Sequence, residues 1–283
     1  MIMTMFENSK VVEIFLKYEI SQTKDLKKYK ITTLDGITNN SFAVEVDEKK
    51  FVLRIPGENP DEINRKSEKI NSQLVQDEKL TLPFIIFDEN TGIKISEFFD
   101  LYTYKEDDFK DMKLRQNAFE QLRKLHDSEL VFKENFSPTN VFNKLGDITD
   151  SLERDAIAVG SDVVNQLNDI GIDSKPCHQD LYCGNFVIYK DQTFLIDWEY
   201  SSMGDPYFDY ADLFWQNEFD KDVIVRQKSL SEININSSEQ VNKFQLFEIM
   251  SMITWGLWAR RKSYEGSKYG DDALIKAINL GSK

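Results

Sequence analysis

Apolar residues along this chain follow two spacings, and the change from one to the other marks its organisation. Val11, Val12, Phe15 and Leu16 recur at helical intervals, predicting an amphipathic helix over 7–18. A strand is expected over 27–33. In the next stretch, LDGITNNSFAVEV, Gly36, Thr38, Asn39 and Asn40 read as a polar turn, and Phe42, Val44 and Val46 then alternate as a half-buried strand. After a turn over 47–50 comes the strand FVLRI, which carries Arg54. Pro60 is expected to open a helix with Asp61 and Glu62 in its first turn, where acids suit the dipole. Ile63, Ile70 and Leu74 mark its apolar stripe, and Glu68 falls mid-helix. Strands over 82–87 and 93–95 follow.

Beyond residue 98 the helical period dominates. A crossover leads into a helix over 109–126, carried by Met112, Leu114, Phe119, Leu122 and Leu125 and ending at His126, which reads as a packing or capping residue. A loop over 135–140 and a mostly helical stretch over 145–170 come next. Near the C-terminus Trp255 and Trp258 stand three apart and so share a helix face. Such pairs are commonly core; they also make two walls for a quaternary ammonium ion, held by cation–π attraction. The domains expected are 1–97, small and strand-rich, and 98–283, larger and mostly helical, an α+β arrangement.

The chemistry concentrates between Cys177 and Asp209. His178, Asp180 and Asn185 form H-x-D-x-x-x-x-N, and I-D-W-E follows at 196–199. Two short strands over 186–189 and 193–196, joined by a turn at 190–192, return Asp197 beside Asn185. Phosphoryl transfer of the kinase type needs a carboxylate to orient the attacking hydroxyl, and an amide and a second carboxylate to hold Mg²⁺ on nucleotide phosphates. Asp180, Asn185 and Asp197 supply them in that order. His178 reads as a brace for the loop, and Asp209 as a helix cap or a second brace. Upstream, the polar turn at Gly36, Thr38 and Asn39 suits phosphates, although an ordinary hairpin tip looks the same. Arg54 and Glu68 suit a strand-borne cation held by a helix-borne acid, against the plainer reading of two solvated side chains.

Composition narrows the partners. The chain has 283 residues, a formal net charge of -14 and 41% hydrophobic residues, so nucleic acid is an unsuitable partner; the charge mainly serves solubility and mildly attracts a cationic substrate. Cys177 precedes the motif and Cys183 lies within it, and the pair does not read as a disulfide framework. With neither a signal peptide nor a membrane-length apolar run, a cytoplasmic location without membrane insertion is expected. Oligomeric state is left open.

On DGITNNSF (35–42), FVLRIPG (51–57), CHQDLYCGN (177–185), LIDWEYSSMGDPYFD (195–209) and ITWGLW (253–258), the chain resembles the choline/ethanolamine kinases, within the aminoglycoside-phosphotransferase-like group that shares the protein-kinase fold. The resemblance covers nearly the whole chain. It implies a two-lobed kinase moving the γ-phosphoryl group of ATP to choline, with ATP and Mg²⁺ as cofactors. Asp180 would be the base, Asn185 and Asp197 the metal ligands, and Gly36, Thr38, Asn39, Arg54 and Glu68 the nucleotide contacts. Glu199, Tyr200, Trp215, Trp255 and Trp258 would face the substrate. Arginine at position 54 departs from the lysine of protein kinases. Alternatives are a kinase of ethanolamine or thiamine, an antibiotic phosphotransferase, and a non-catalytic kinase-like scaffold.

Overall fold

The structure, a computed structural model, describes residues 5–34, 39–57, 63–136, 148–262 and 268–282. The chain forms two compact units, Met1–Leu101 and Tyr102–Lys283. The first is an antiparallel sheet with helices and the second is mostly helical, the α+β class expected.

In the first unit, helix α1 (Met5–Lys17) precedes strands β1 (Lys30–Leu34), β2 (Asn39–Val46) and β3 (Lys49–Pro56), helix α2 (Arg65–Asp77), and strands β4 (Ile86–Phe87) and β5 (Lys94–Glu97). The sheet order is β1-β2-β3-β5-β4. In the antiparallel register Phe42 faces Leu53, which faces Ile95, and Val44 faces Phe51. These residues share one face and pack with Val11, Val12, Ile14 and Phe15 of α1. Asp47 and Glu48, both with positive φ, make the tight turn that right-twisted hairpins favour.

Three expectations shift here. β1 starts at Lys30 because Leu26–Lys28 is a short 3₁₀ turn capped by Asp25. The strand expected over 82–87 shrinks to Ile86–Phe87: Pro83 has no N–H to donate, and the Phe84 N–H goes to Gln76 Oε1 at 2.8 Å. Helix α2 opens at Arg65, where the Asn64 side chain accepts from Ser67 N; Pro60, Asp61 and Glu62 lie outside the described residues. Its buried side carries Ser67, Glu68, Asn71, Ser72 and Val75, while Ile70 and Leu74 are half-buried. An ion pair from Glu68 to the sheet sets this rotation, overriding the apolar stripe.

In the second unit, α3 (Met112–His126) and α4 (Ser151–Ile170) precede β7 (Lys175–Cys177), and β6 (Tyr102–Thr103) pairs with the hairpin β8 (Phe186–Tyr189)–β9 (Gln192–Leu195). The α3 helix is entered through a 3₁₀ turn, Glu106–Lys110, and begins at Met112 because Asp111 caps it. The β8–β9 turn is two residues, Lys190 and Asp191, both at positive φ, so Gln192 joins the strand opposite Tyr189. After β10 (Ser202–Gly204) come α5 (Pro206–Gln216), α6 (Val223–Glu232), α7 (Ser238–Lys262) and α8 (Lys268–Gly281). α5 is capped by Asp205, which accepts from Tyr207 N, so it starts before the expected Asp209. α7 is buried along most of its length, with Phe244, Phe247, Met250, Ile253 and Leu257 inaccessible to solvent. Gly256 lets α8 approach closely, since a Cβ there would lie 2.8 Å from Leu274.

Candidate active site

The segment after β7 has little regular structure, so side chains must fix its backbone. Two acids on α5 do this. Asp209 accepts from His178 N at 2.9 Å and Gln179 N at 2.8 Å, and its carboxylate also meets His126 Nε2 at 2.8 Å. Asp212, one turn on, accepts from Leu181 N at 2.7 Å. The Leu181 carbonyl accepts from Asn217 Nδ2 at 2.7 Å. With three N–H groups and a carbonyl anchored, Gln179 is held at φ +67°, a conformation unusual outside glycine. Asp209 therefore braces the loop rather than capping its helix. His126 is a buried partner to that brace.

His178 works from the other side. Its Nε2–H donates to Ile196 O at 2.9 Å and its Nδ1 accepts from Asp180 N at 3.3 Å, which fixes one neutral tautomer. Burial lowers its pKa, in keeping with that neutral ring. The β8–β9 hairpin closes as its sequence predicts. Phe186 pairs with Leu195, and Ile196 N donates to Asn185 O at 3.0 Å, which brings the start of the hairpin beside the residue preceding Asp197.

Asn185 Nδ2 donates to the Asp180 backbone oxygen at 2.9 Å and to Asp180 Oδ2 at 3.1 Å, leaving its amide oxygen available as a ligand. The Asp180 pKa is pushed well above the ordinary carboxylate value, first by desolvation and then by the negative charges of Asp212, Asp197 and Glu199; Asn185 opposes this. Clustered carboxylates with an amide oxygen make a hard-oxygen donor set, suited to Mg²⁺, whose charge would relieve the mutual repulsion. Asp197 sits at φ +64°.

Three of the aromatic candidates come together. Trp255 meets Tyr200 edge-on at 5.2 Å and Trp258 at 5.6 Å between ring centroids. The Tyr200 phenol pKa is raised well above normal by desolvation, then by the charges of Glu199, Asp180 and Asp197. The aromatic group therefore lies within Coulomb reach of the acidic cluster. Trp215 differs: its ring tilts against Tyr269 at 5.8 Å, and Lys276 Nζ lies 5.3 Å from its centroid. One of the protein's own cations already lies over that ring.

In the first unit, strand alternation turns Arg54 away from the face that carries Leu53. Its guanidinium meets Glu68 Oε1 at 2.5 Å, and Arg65 Nη1 meets Glu68 Oε2 at 2.7 Å. Both Arg54 and Glu68 are buried, so neither is a solvated strand or surface charge. Asn39 opens β2 and is buried; Gly36 and Thr38 lie outside the described residues. Sequence reading missed Asp212. Its signal was present in YADLFW, an acid in an otherwise apolar helical run, one turn after Asp209.

The model of the choline/ethanolamine kinase family matches residues 31–247. The chain belongs to that family. Protein LicA of Haemophilus influenzae is 27% identical over 264 residues, covering 86% of this chain and 76% of the relative. Among solved structures, choline kinase LicA from Streptococcus pneumoniae superposes with a TM-score of 0.83 at 25% identity, covering 98% of this chain and 99% of that one. A structure of LicA in complex with AMP gives 0.81 at 25% identity, covering 97% and 98%. As a member of this kinase family, the chain is an ATP-dependent small-molecule kinase. Among the described residues no helix is long and apolar enough to cross a membrane.

Proposed function

We propose that this kinase transfers the γ-phosphoryl group of ATP to choline, yielding phosphocholine. The observation that carries the reading is the Tyr200–Trp255–Trp258 aromatic group beside the acidic cluster at Asp180. A quaternary ammonium cannot donate a hydrogen bond, so aromatic faces and nearby negative charge are the means left to recognise it. Glu199, buried next to Tyr200, adds to that charge. Trp215 stands outside the group because Lys276 already lies over its ring.

Asp180 is the hydroxyl-orienting base. The choline oxygen forms its bond to the γ-phosphorus as the bond from γ-phosphorus to the bridging oxygen of ADP breaks, and the hydroxyl proton passes to Asp180. A carboxylate whose proton affinity is raised by its surroundings suits that task. Asn185 holds the Asp180 side chain in place through its amide nitrogen and offers its oxygen to Mg²⁺, which Asp197 would share. When bound, Mg²⁺ supplies positive charge to the nucleotide phosphates. The first unit serves the nucleotide, with Arg54 fixed by Glu68 as a phosphate-facing cation and Gly36, Thr38 and Asn39 as further nucleotide contacts. Reliance on ATP suits a cytoplasmic location.

The test is ADP release with ATP and Mg²⁺ against choline, ethanolamine, thiamine, kanamycin and no acceptor. Turnover with choline well above the others is the expected result. Turnover confined to kanamycin or thiamine would overturn the reading and return Trp255 and Trp258 to the core.

A further inference from the structure

Asp212 reaches further than the catalytic loop. Its side chain is completely buried, and its two oxygens face different elements. Oδ2 accepts from Leu181 N, in the residue after Asp180, at 2.7 Å. Oδ1 accepts from Trp255 Nε1 at 2.8 Å and from Ser251 Oγ at 2.6 Å, both on α7. Gln216 Nε2 lies 3.1 Å from each oxygen.

We propose that Asp212 is a positioning residue that sets the orientation of the Trp255 ring relative to Asp180, so that cation recognition and hydroxyl alignment depend on one buried carboxylate. The proposal rests on the choline-kinase reading. An indole turning about its χ angles needs a second fixed point beyond its Cβ, and the Nε1–H bond to Asp212 gives one. The carboxylate fits because every partner is a donor and each oxygen serves a different side. An Asn side chain has one acceptor and one donor end. In either orientation its NH₂ confronts the Leu181 N–H or the Trp255 and Ser251 donors, so Asp212→Asn must break one of the two connections while keeping the volume.

The experiment measures kcat and KM for choline, ethanolamine and ATP in the wild type, Asp212→Asn, Trp255→Phe, Ser251→Ala and the Asp212→Asn/Trp255→Phe double variant. Trp255→Phe retains an aromatic face but loses the N–H. Trp255→Phe is expected to lower the choline-to-ethanolamine ratio of kcat/KM about tenfold, the scale for stranding one buried hydrogen-bonding group, and Asp212→Asn to lower either that ratio or, with its amide nitrogen turned to Leu181, kcat for both acceptors by a similar factor. KM for ATP should stay within about twofold, and the acceptor ratio of the double variant should fall no lower than the worse single, because the Trp255 link can be broken only once in either orientation of the amide. Ser251→Ala removes a donor to the same oxygen but touches no ring, and should leave the ratio within about twofold. A wild-type ratio in Trp255→Phe, or multiplying losses of that ratio in the double variant, would overturn the proposal; Trp255→Phe decides the matter if Asp212→Asn does not fold. A wild type inactive on choline would overturn the functional reading itself, whereas an active wild type with unmoved variants would overturn this inference alone.

Discussion

Asp180 is where sequence and geometry meet most directly. Its position within H-x-D-x-x-x-x-N marked it before any coordinates, and the neighbouring Asn185 amide follows from the same spacing. The electrostatics around it were less legible, because Asp212 and Glu199 come near through tertiary packing rather than through any sequence interval. Replacing Asp180 with Ala is expected to lower kcat by at least about a hundredfold, the usual contribution of a positioned acid–base group, with nucleotide affinity retained. Paired measurements of turnover and nucleotide binding would check this. Near-normal kcat would remove Asp180 from the role. Trp215 shows the opposite limit: residue type suggested an aromatic wall, but the sequence could not reveal that Tyr269 and Lys276 would meet its ring.

At the scale of elements, periodicity served best where burial is one-sided. The alternation of Phe42, Val44 and Val46 placed β2 correctly, as did the helical spacing of Val11, Val12 and Phe15 for α1. It misled on α2, where the Arg54–Glu68–Arg65 pairing turns polar residues inward. Caps explain most shifted boundaries: Asn64 and Asp111 open their helices later than predicted, and Asp205 opens its helix earlier. A comparable charge cluster joins α4 to α7. Glu153 accepts from Arg260 Nε at 3.0 Å and from Arg261 Nη1 at 2.6 Å, with Thr149 N at 2.9 Å. Desolvation raises its pKa, but the Arg261 and Thr149 hydrogen bonds outweigh it and hold the carboxyl at about 2, below the usual 4.5. A depressed folded-state pKa stabilises the protein above the unfolded value and loses that contribution as pH falls. The stability gap between wild type and Glu153→Gln, measured by urea midpoints, should therefore narrow between about pH 4.5 and pH 2. A constant gap would show that the charge of Glu153 contributes nothing.

For the whole molecule, the sequence changes period from strands to helices near residue 98, and the structure has compact units at Met1–Leu101 and Tyr102–Lys283. The family match over 31–247 leaves out the end of α7, which carries Trp255 and Trp258, so the proposed acceptor is argued from that helix and its aromatic neighbours. The central claim is that a methylated ammonium ion, rather than a hydrogen-bonding amine, fits there. The most direct measurement is kcat/KM for choline against ethanolamine under identical ATP and Mg²⁺. Cation–π contacts are worth about 0.5–2 kcal/mol each, and 1.4 kcal/mol is about tenfold. The account predicts a preference for choline of about tenfold or more; equal values, or a preference for ethanolamine, would contradict it.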